Sequence, residues 1–183
     1  MKMVIIMDIN NFDSSIDNAM FLTKVDNLFV MLCTSIMMQD LSRVDHKISD
    51  NVYKKYESIV NDLKNKNQRH MYDELNVKSS TITNINQDDN GINVEVYLES
   101  GFLDYIIDID TDKIVSGDNT RRTFHNYKLV LTKLNDALNI GVTAHCTSCG
   151  ASVDINNTGK CPYCGAIFNL EKYDYVLTDI REV

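Results

Sequence analysis

Between Asn18 and Gln39 apolar residues recur at Phe21, Val25, Leu28, Phe29, Leu32 and Ile36, a spacing that sets all six side chains on one face of an α-helix. The pattern predicts a helix that buries this face in a core. After a polar break from Asp40 to Asp45, Ser49 stands where it can cap a second helix, whose apolar stripe is Tyr53, Tyr56, Ile59, Val60 and Leu63. That stripe fades in the polar stretch 64–69.

The period then changes from helical to alternating. Val77, Ile82 and Ile85 lie among Ser and Thr residues, and Asp89-Asn90-Gly91 offers a hairpin turn. Beyond it Ile92, Val94, Val96 and Leu98 occupy even positions, whereas Leu103, Tyr105, Ile107 and Ile109 occupy odd ones. A one-residue bulge near Gly101 would return all eight to one face and bend the strand. A turn through 110–118 leads to a strand from Thr123 to Leu134. Its two faces are both apolar, with Tyr127, Leu129 and Leu131 on one and Phe124, Val130 and Leu134 on the other, so a central position is expected. A last alternating stretch, Tyr173 to Ile180, is expected to pack on a sheet edge. Helices first and antiparallel strands after, one of them bent, predict an α+β domain in which helices cover a curved sheet.

A chain of 183 residues with 44% hydrophobic residues suits one medium domain, or one domain with a small appendage. Its 26 acidic and 18 basic residues leave a net charge of -8, which repels phosphate backbones unless basic residues cluster. The adjacent basic pairs, Lys54-Lys55 and Arg121-Arg122, are too sparse for a nucleic-acid stripe. No apolar run approaches the roughly 20 residues that span a bilayer, and Val4-Ile5-Ile6-Met7 is too short for a signal-peptide core. The expectation is a cytoplasmic protein without a transmembrane segment, peripheral membrane attachment being left open.

Four of the five cysteines form two tight pairs, Cys146-Thr-Ser-Cys149-Gly150 and Cys161-Pro-Tyr-Cys164-Gly165. A two-residue spacing lets one turn present two thiolates to one ion, and the following Gly lets the backbone fold round the sulfurs. Two such knuckles complete a tetrahedral zinc shell with no open position for water, so the predicted ion, Zn2+ on Cys146, Cys149, Cys161 and Cys164, is structural. Redox pairs or disulfides are the alternatives. Asp108-Ile-Asp110-Thr-Asp112 opens like a calcium loop, but Lys113 stands where Gly is required and Asn119 where a bidentate Glu belongs. No Gly-rich phosphate loop or nucleophile turn occurs. Scattered strand residues such as Asp104, Tyr105 and His125 keep an acid/base enzyme open as the rival reading.

The runs Phe21-Leu-Thr-Lys-Val25-Asp-Asn-Leu-Phe29, Asp104-Tyr-Ile-Ile-Asp108 and Val115-Ser-Gly117-Asp118 through Arg121 and Phe124 to Tyr127 resemble the bacterial branch of the family of translocase-of-the-inner-membrane subunit 44. The knuckles, with Asp154-Ile-Asn156 and Gly159-Lys160 between them and Tyr173-Asp174-Tyr175-Val176-Leu177 after, resemble the tail of those relatives. The resemblance implies a cone-shaped fold like nuclear transport factor 2 or cystatin, and a non-enzymatic module. It suggests a curved-sheet domain over 13–135 and a zinc ribbon with its C-terminal strand over 144–183. The expected function is a binding or adaptor protein that takes an apolar ligand or protein segment beside Tyr105, Phe124 and Tyr127. An enzyme using the same pocket and a nucleic-acid-binding ribbon are the alternatives.

Overall fold

The structure is a computed structural model that describes residues 7–89, 91–134, 143–146, 148–154, 161–166 and 174–183. Helix α1 runs over Asn18–Met37 and α2 over Asp50–Asn65. Strands β1 (Gln68–Gln87), β2 (Gly91–Asp108) and β3 (Ile114–Leu134) follow, then the short β4 (Thr143–His145) and β5 (Ser152–Asp154), and finally β6 (Val176–Glu182). The Asp17 carboxylate caps α1 by accepting from the Met20 N–H, and Ser49 caps α2 by accepting from Val52, so both helices begin where a short oxygen-bearing side chain takes up a free N–H.

Antiparallel pairing orders the large sheet β1-β2-β3-β6, and β4 and β5 form a separate hairpin. One face of the large sheet carries Ile85, Ile92, Val94, Val96, Leu98, Leu129, Leu131, Leu177 and Ile180, all buried against Phe21, Val25, Leu28, Phe29, Leu32 and Ile36 of α1 and Val52 and Val60 of α2. This is the α+β arrangement of helices on a curved antiparallel sheet. In α2 the core stripe is turned slightly from expectation: Val52 is buried while Ile59 is exposed, because the helix meets the sheet along the line Val52, Tyr56, Val60 and Leu63.

The bulge expected at Gly101 is not in β2. Opposite Phe102, β1 fits residues 74 and 75 between the paired Asp73 and Asn76, and opposite Leu103, β3 fits 119–122 between Asp118 and Thr123. The extra residues therefore bend the partner strands, with Glu74 at a left-handed φ of 54°. Alternation in β2 continues unbroken, so Ser100 and Phe102 follow Leu98 into the interior. Leu103 and Tyr105 fall on the outer face. Gly101 is small for a different reason: a Cβ there would come within 2.9 Å of the Arg122 guanidinium and 3.0 Å of the Phe124 ring. Arg122 uses that space to bond the carbonyls of Glu74 and Gly101 and the Asn76 side chain, which closes the bulge in β1. The turn before β3 is also shorter than expected, since that strand starts at Ile114.

Strand β6, grouped with the ribbon in the sequence reading, is hydrogen-bonded to β3 from Tyr127↔Glu182 to Thr132↔Val176. Tyr173 lies outside the described residues. The outer edge of β6 is covered in part by the segment before α2, through Ser49 N–H to the Leu177 carbonyl at 2.9 Å and Leu177 N–H to the Lys47 carbonyl at 3.0 Å. Residues 135–142, between β3 and β4, lie outside the described residues.

One buried carboxylate ties the ends of β3 and β6 together. Asp13 Oδ2 receives Lys133 Nζ at 2.6 Å and the Tyr175 hydroxyl at 3.2 Å, while Ser15 donates twice to Oδ1. Asp13 and Lys133 are both buried. Removing one partner strands the other charge in low dielectric, whereas replacing both with apolar groups is close to neutral. Asp13→Asn is expected to cost about 3–5 kcal/mol, and Asp13→Leu combined with Lys133→Met to recover most of it; urea denaturation of the three chains measures both.

Candidate metal centre and inner-face polar cluster

Each cysteine pair sits in the same tight turn. The Cys146 N–H bonds the Ala151 carbonyl at 2.8 Å and the Gly150 N–H bonds the Cys146 carbonyl at 2.7 Å; Cys161 and Gly165 repeat this with Ala166 and Cys161 at 2.8 and 2.9 Å. Gly150 and Gly165 close these turns at φ of 74° and 73°, a left-handed conformation that a Cβ disfavours. The first knuckle is carried at the tip of the β4–β5 hairpin. All four sulfurs lie within 4.8 Å of one another, with Cys146 to Cys164 at 3.6 Å and Cys149 to Cys161 at 3.7 Å. In each knuckle the first cysteine is buried and the second exposed.

The backbone here is arranged for sulfur anions. Cys146 is pulled down to about 6, first by the Cys149 N–H and then by Ser148. Cys149 receives the Ala151 N–H, but the neighbouring sulfurs, that of Cys164 first, push it up to about 12. Four crowded sulfurs cannot all ionise unless a cation joins them. This is a donor set for a metal ion.

The three residues expected to line a ligand site are not brought together. Tyr127 pairs with Leu98 and lies on the inner face, its ring 4.9 Å from Phe29. Phe124 pairs with Gly101 on the outer face, 67% exposed, with Lys78 over its ring. Tyr105 is also on the outer face, where its hydroxyl donates to Asp73 and is pushed up to about 12 by that bond. A surface pocket of about 410 Å³ lies elsewhere, between the start of α2 (Ser49, Asp50, Asn51) and the β3–β6 margin (Thr132, Leu134, Val176, Thr178). Helix α1 is long and apolar enough by length and composition to cross a membrane, contrary to the sequence expectation, although 44% of it is packed inside the protein.

The fold does bring Asp104 and His125 together, along with residues that no local motif marked. His70 Nε2 lies 2.6 Å from Asp104 Oδ1, and His125 Nε2 lies 3.8 Å from Asp104 Oδ2. The other ring nitrogens are held too, His70 Nδ1 by the Tyr72 hydroxyl at 3.0 Å and His125 Nδ1 by Glu182 at 2.7 Å. The rings of Phe102 and His125 stack at 4.4 Å, and Tyr72 meets Phe102 edge-on at 5.3 Å. These groups come from four different strands, so only the sheet register aligns them. Beneath them Ser100 is fully buried with no hydrogen-bond partner for its hydroxyl. Burial raises the phenols of Tyr72 and Tyr127 far above their ordinary value and pushes the Cys33 thiol up to about 12.

A family model described as "Tim44-like domain" matches residues 3–139, ending before the first paired cysteine. Among solved structures, the intermembrane space region of the chloroplast protein ARC6 aligns with a TM-score of 0.44 at 8% identity, over 88% of this chain and 95% of that one. No curated protein matches the chain.

The hydrogen bond from His70, followed by the charges of both histidines, holds the Asp104 carboxyl below its ordinary range against a contrary effect of burial. Burial works to raise Asp13, but its bonds from Lys133 and Ser15 outweigh this and lower it. Both carboxyls thus bind protons more weakly in the folded chain than in the unfolded one, where the ordinary value is about 3.9. Their contribution is complete above that value and is lost as pH falls through the lower folded values. Stability is expected to decline below about pH 4, and Asp104→Asn to flatten that decline in denaturation curves recorded from pH 6 to 2.5.

Proposed function

The chain belongs to the Tim44-like domain family, and from that premise we propose that it is a non-catalytic binding or adaptor protein with a structural zinc module set into its sheet. The observation that carries this reading is the occupancy of the inner face. Over the apolar part of that face, where a curved sheet would hold a substrate, Phe21, Phe29 and Leu32 of α1 pack on Leu98 and Leu129. Apolar side chains left outside, among them Met20 and Val30 on α1, Met38 at its C-cap and Phe124 on the sheet, are better suited to an apolar ligand or a protein segment than to a charged metabolite.

The zinc assignment rests on donor chemistry. Four thiolates select zinc or iron, and a tetrahedron with metal–sulfur bonds near 2.3 Å has edges of about 3.8 Å. The separations of 3.6 and 3.7 Å suit that edge. With four protein ligands no position stays open for water, which favours a structural role. On this reading residues 13–135 and β6 form one unit, and the module from 144 is an insertion between neighbouring strands. We place the protein in the cytoplasm, bound at most peripherally to a membrane, because α1 gives its most apolar face to the core.

Two experiments test these readings. In protein purified without chelator, a thiol-blocking mercurial is expected to release one zinc per chain, and Cys161→Ser to release none while keeping the far-ultraviolet circular dichroism of the large sheet. Release of well under half an equivalent from the native chain removes the zinc assignment. For the binding role, the tagged chain is captured from its native cells and the retained proteins and lipids are identified by mass spectrometry. A stoichiometric, unmodified companion is expected; turnover of a retained small molecule that stops on Asp104→Asn replaces the adaptor reading with an enzymatic one.

A further inference from the structure

Both outer strands of a sheet offer backbone groups to another strand, and here only one of them is covered. The edge of β6 meets the backbone of Lys47 and Ser49 at Leu177, and the Lys55 ammonium at the Ile180 carbonyl, 2.7 Å away. Beyond β1 no strand lies among the described residues. We propose that this edge, over residues 79–87, pairs antiparallel with the same edge of a second copy of the chain, making a reversible dimer about a two-fold axis. The proposal does not rest on the adaptor reading, since it concerns what the chain does with itself.

Composition comes first. Between Ser79 and Gln87 the strand holds only Ser, Thr, Ile, Asn and Gln, without the charges or Pro that ordinarily blunt an exposed edge. The earlier part of β1 does carry charges, at Arg69, Asp73, Glu74 and Lys78. Each chain has a net charge of -8, so two copies repel over much of their surface, and this neutral run lets them meet without opposing like charges. The covered edge of β6 decides the arrangement as well. Adding β1 to the β6 of the next copy would build an open filament, whereas β1 on β1 closes after two chains.

The direction of the backbone groups supports the same pairing. The Asp88 N–H bonds the Gly91 carbonyl at 3.0 Å and closes the β1–β2 hairpin. Because such bonds alternate along an antiparallel ladder, Asn86, Asn84 and Thr81 bond toward β2, and Gln87, Ile85, Ile82 and Ser80 turn their N–H and C=O groups outward. The step from Ile82 to Ile85 contains the irregularity at Thr83. About that bulge the edge is symmetric, with two outward residues on either side. Laid antiparallel on its copy, Ile82 falls opposite Ile85 and Ser80 opposite Gln87, each pair on one face, as a ladder requires. A bulge ordinarily hinders edge pairing, but this one sits on the axis, where both copies carry it.

Helix α1 extends the surface. It comes closest to β1, where Asp26 reaches the Ser80 hydroxyl. Ala19, Thr23 and Val30 follow that flank at helical spacing and are exposed. The Thr23 hydroxyl is turned back to the Ala19 carbonyl at 2.8 Å and leaves its methyl outside, while the exposed Lys24 lies on the other flank, paired with Asp174 at 3.1 Å. A strip one strand and one helix deep and about 30 Å long buries on the order of 1,000 Å² over two copies, the low end for a specific interface.

Sedimentation velocity of the full-length chain over a wide range of concentration is expected to pass from one chain to two, with no larger species. Amide exchange at both ends of that range gives the signature of this pairing. Ser80, Ile82, Ile85 and Gln87 exchange fast in the dilute chain and become protected in the concentrated one, while Thr81, Asn84 and Asn86 stay protected throughout. Thr83→Lys sets two ammonium groups side by side at the axis and weakens the dimer about tenfold or more, with the far-ultraviolet circular dichroism kept; Ile59→Ser, on the exposed side of α2, leaves the dimer unchanged. A chain that stays single at every concentration overturns the proposal, as does a dimer in which those four amides remain fast or which Thr83→Lys leaves intact. Protection of the same amides only when a captured protein is bound assigns the edge to another protein's strand and overturns self-pairing.

Discussion

A sheet of four strands has one face that must be kept from water, and everything else in this chain follows from how α1 covers it. Burying a large aliphatic or aromatic side chain contributes about 1.5–3 kcal/mol, and α1 alone brings Phe21, Val25, Leu28, Phe29, Leu32 and Ile36 to that face. At its end Gln39 bonds the Gln68 carbonyl at the start of β1. The inner face is not aliphatic throughout, and carries Ser100, His70, Asp104 and His125 as well.

The helices and the cysteine knuckles were legible because each is specified by neighbours in sequence. A stripe such as Phe21, Val25, Leu28 and Leu32 or a Cys-x-x-Cys-Gly turn needs no knowledge of the rest of the fold. The strands were legible as strands, but their register was not. The shift of apolar residues from Leu98 to Leu103 reads as a bulge in one strand, and only the partners reveal that β1 and β3 absorb the extra residues. Phe102, which does not fit the odd set, was the available clue that β2 stays regular and becomes apolar on both faces. The histidine cluster was illegible for a stronger reason: His70, Asp104, His125 and Glu182 lie on four strands, and their spacing in sequence carries no trace of their spacing in space.

The cysteine module illustrates a separation of roles within one chain. It is shaped by its own cysteine turns, and it lies in sequence between neighbouring strands whose margins are tied together by Asp13, Lys133 and Tyr175. Loop closure varies only with the logarithm of loop length, so an insert of this size adds little entropy cost to the pairing of β3 and β6. The sheet tolerates the module, and the module's four sulfurs come together without a residue of the sheet.

The placement of β6 has a consequence for the order of synthesis. Leu177 and Ile180 complete the core and β6 covers the edge of β3, yet they are translated after the whole insert. Chain growth of about 5–20 residues per second keeps β3 an open edge for several seconds on the ribosome, with bare N–H and C=O groups that can pair with another chain. During that interval the nascent protein has both helices and three of its four sheet strands but lacks the last. The strand that closes this edge therefore arrives last, after the segment that carries the paired cysteines.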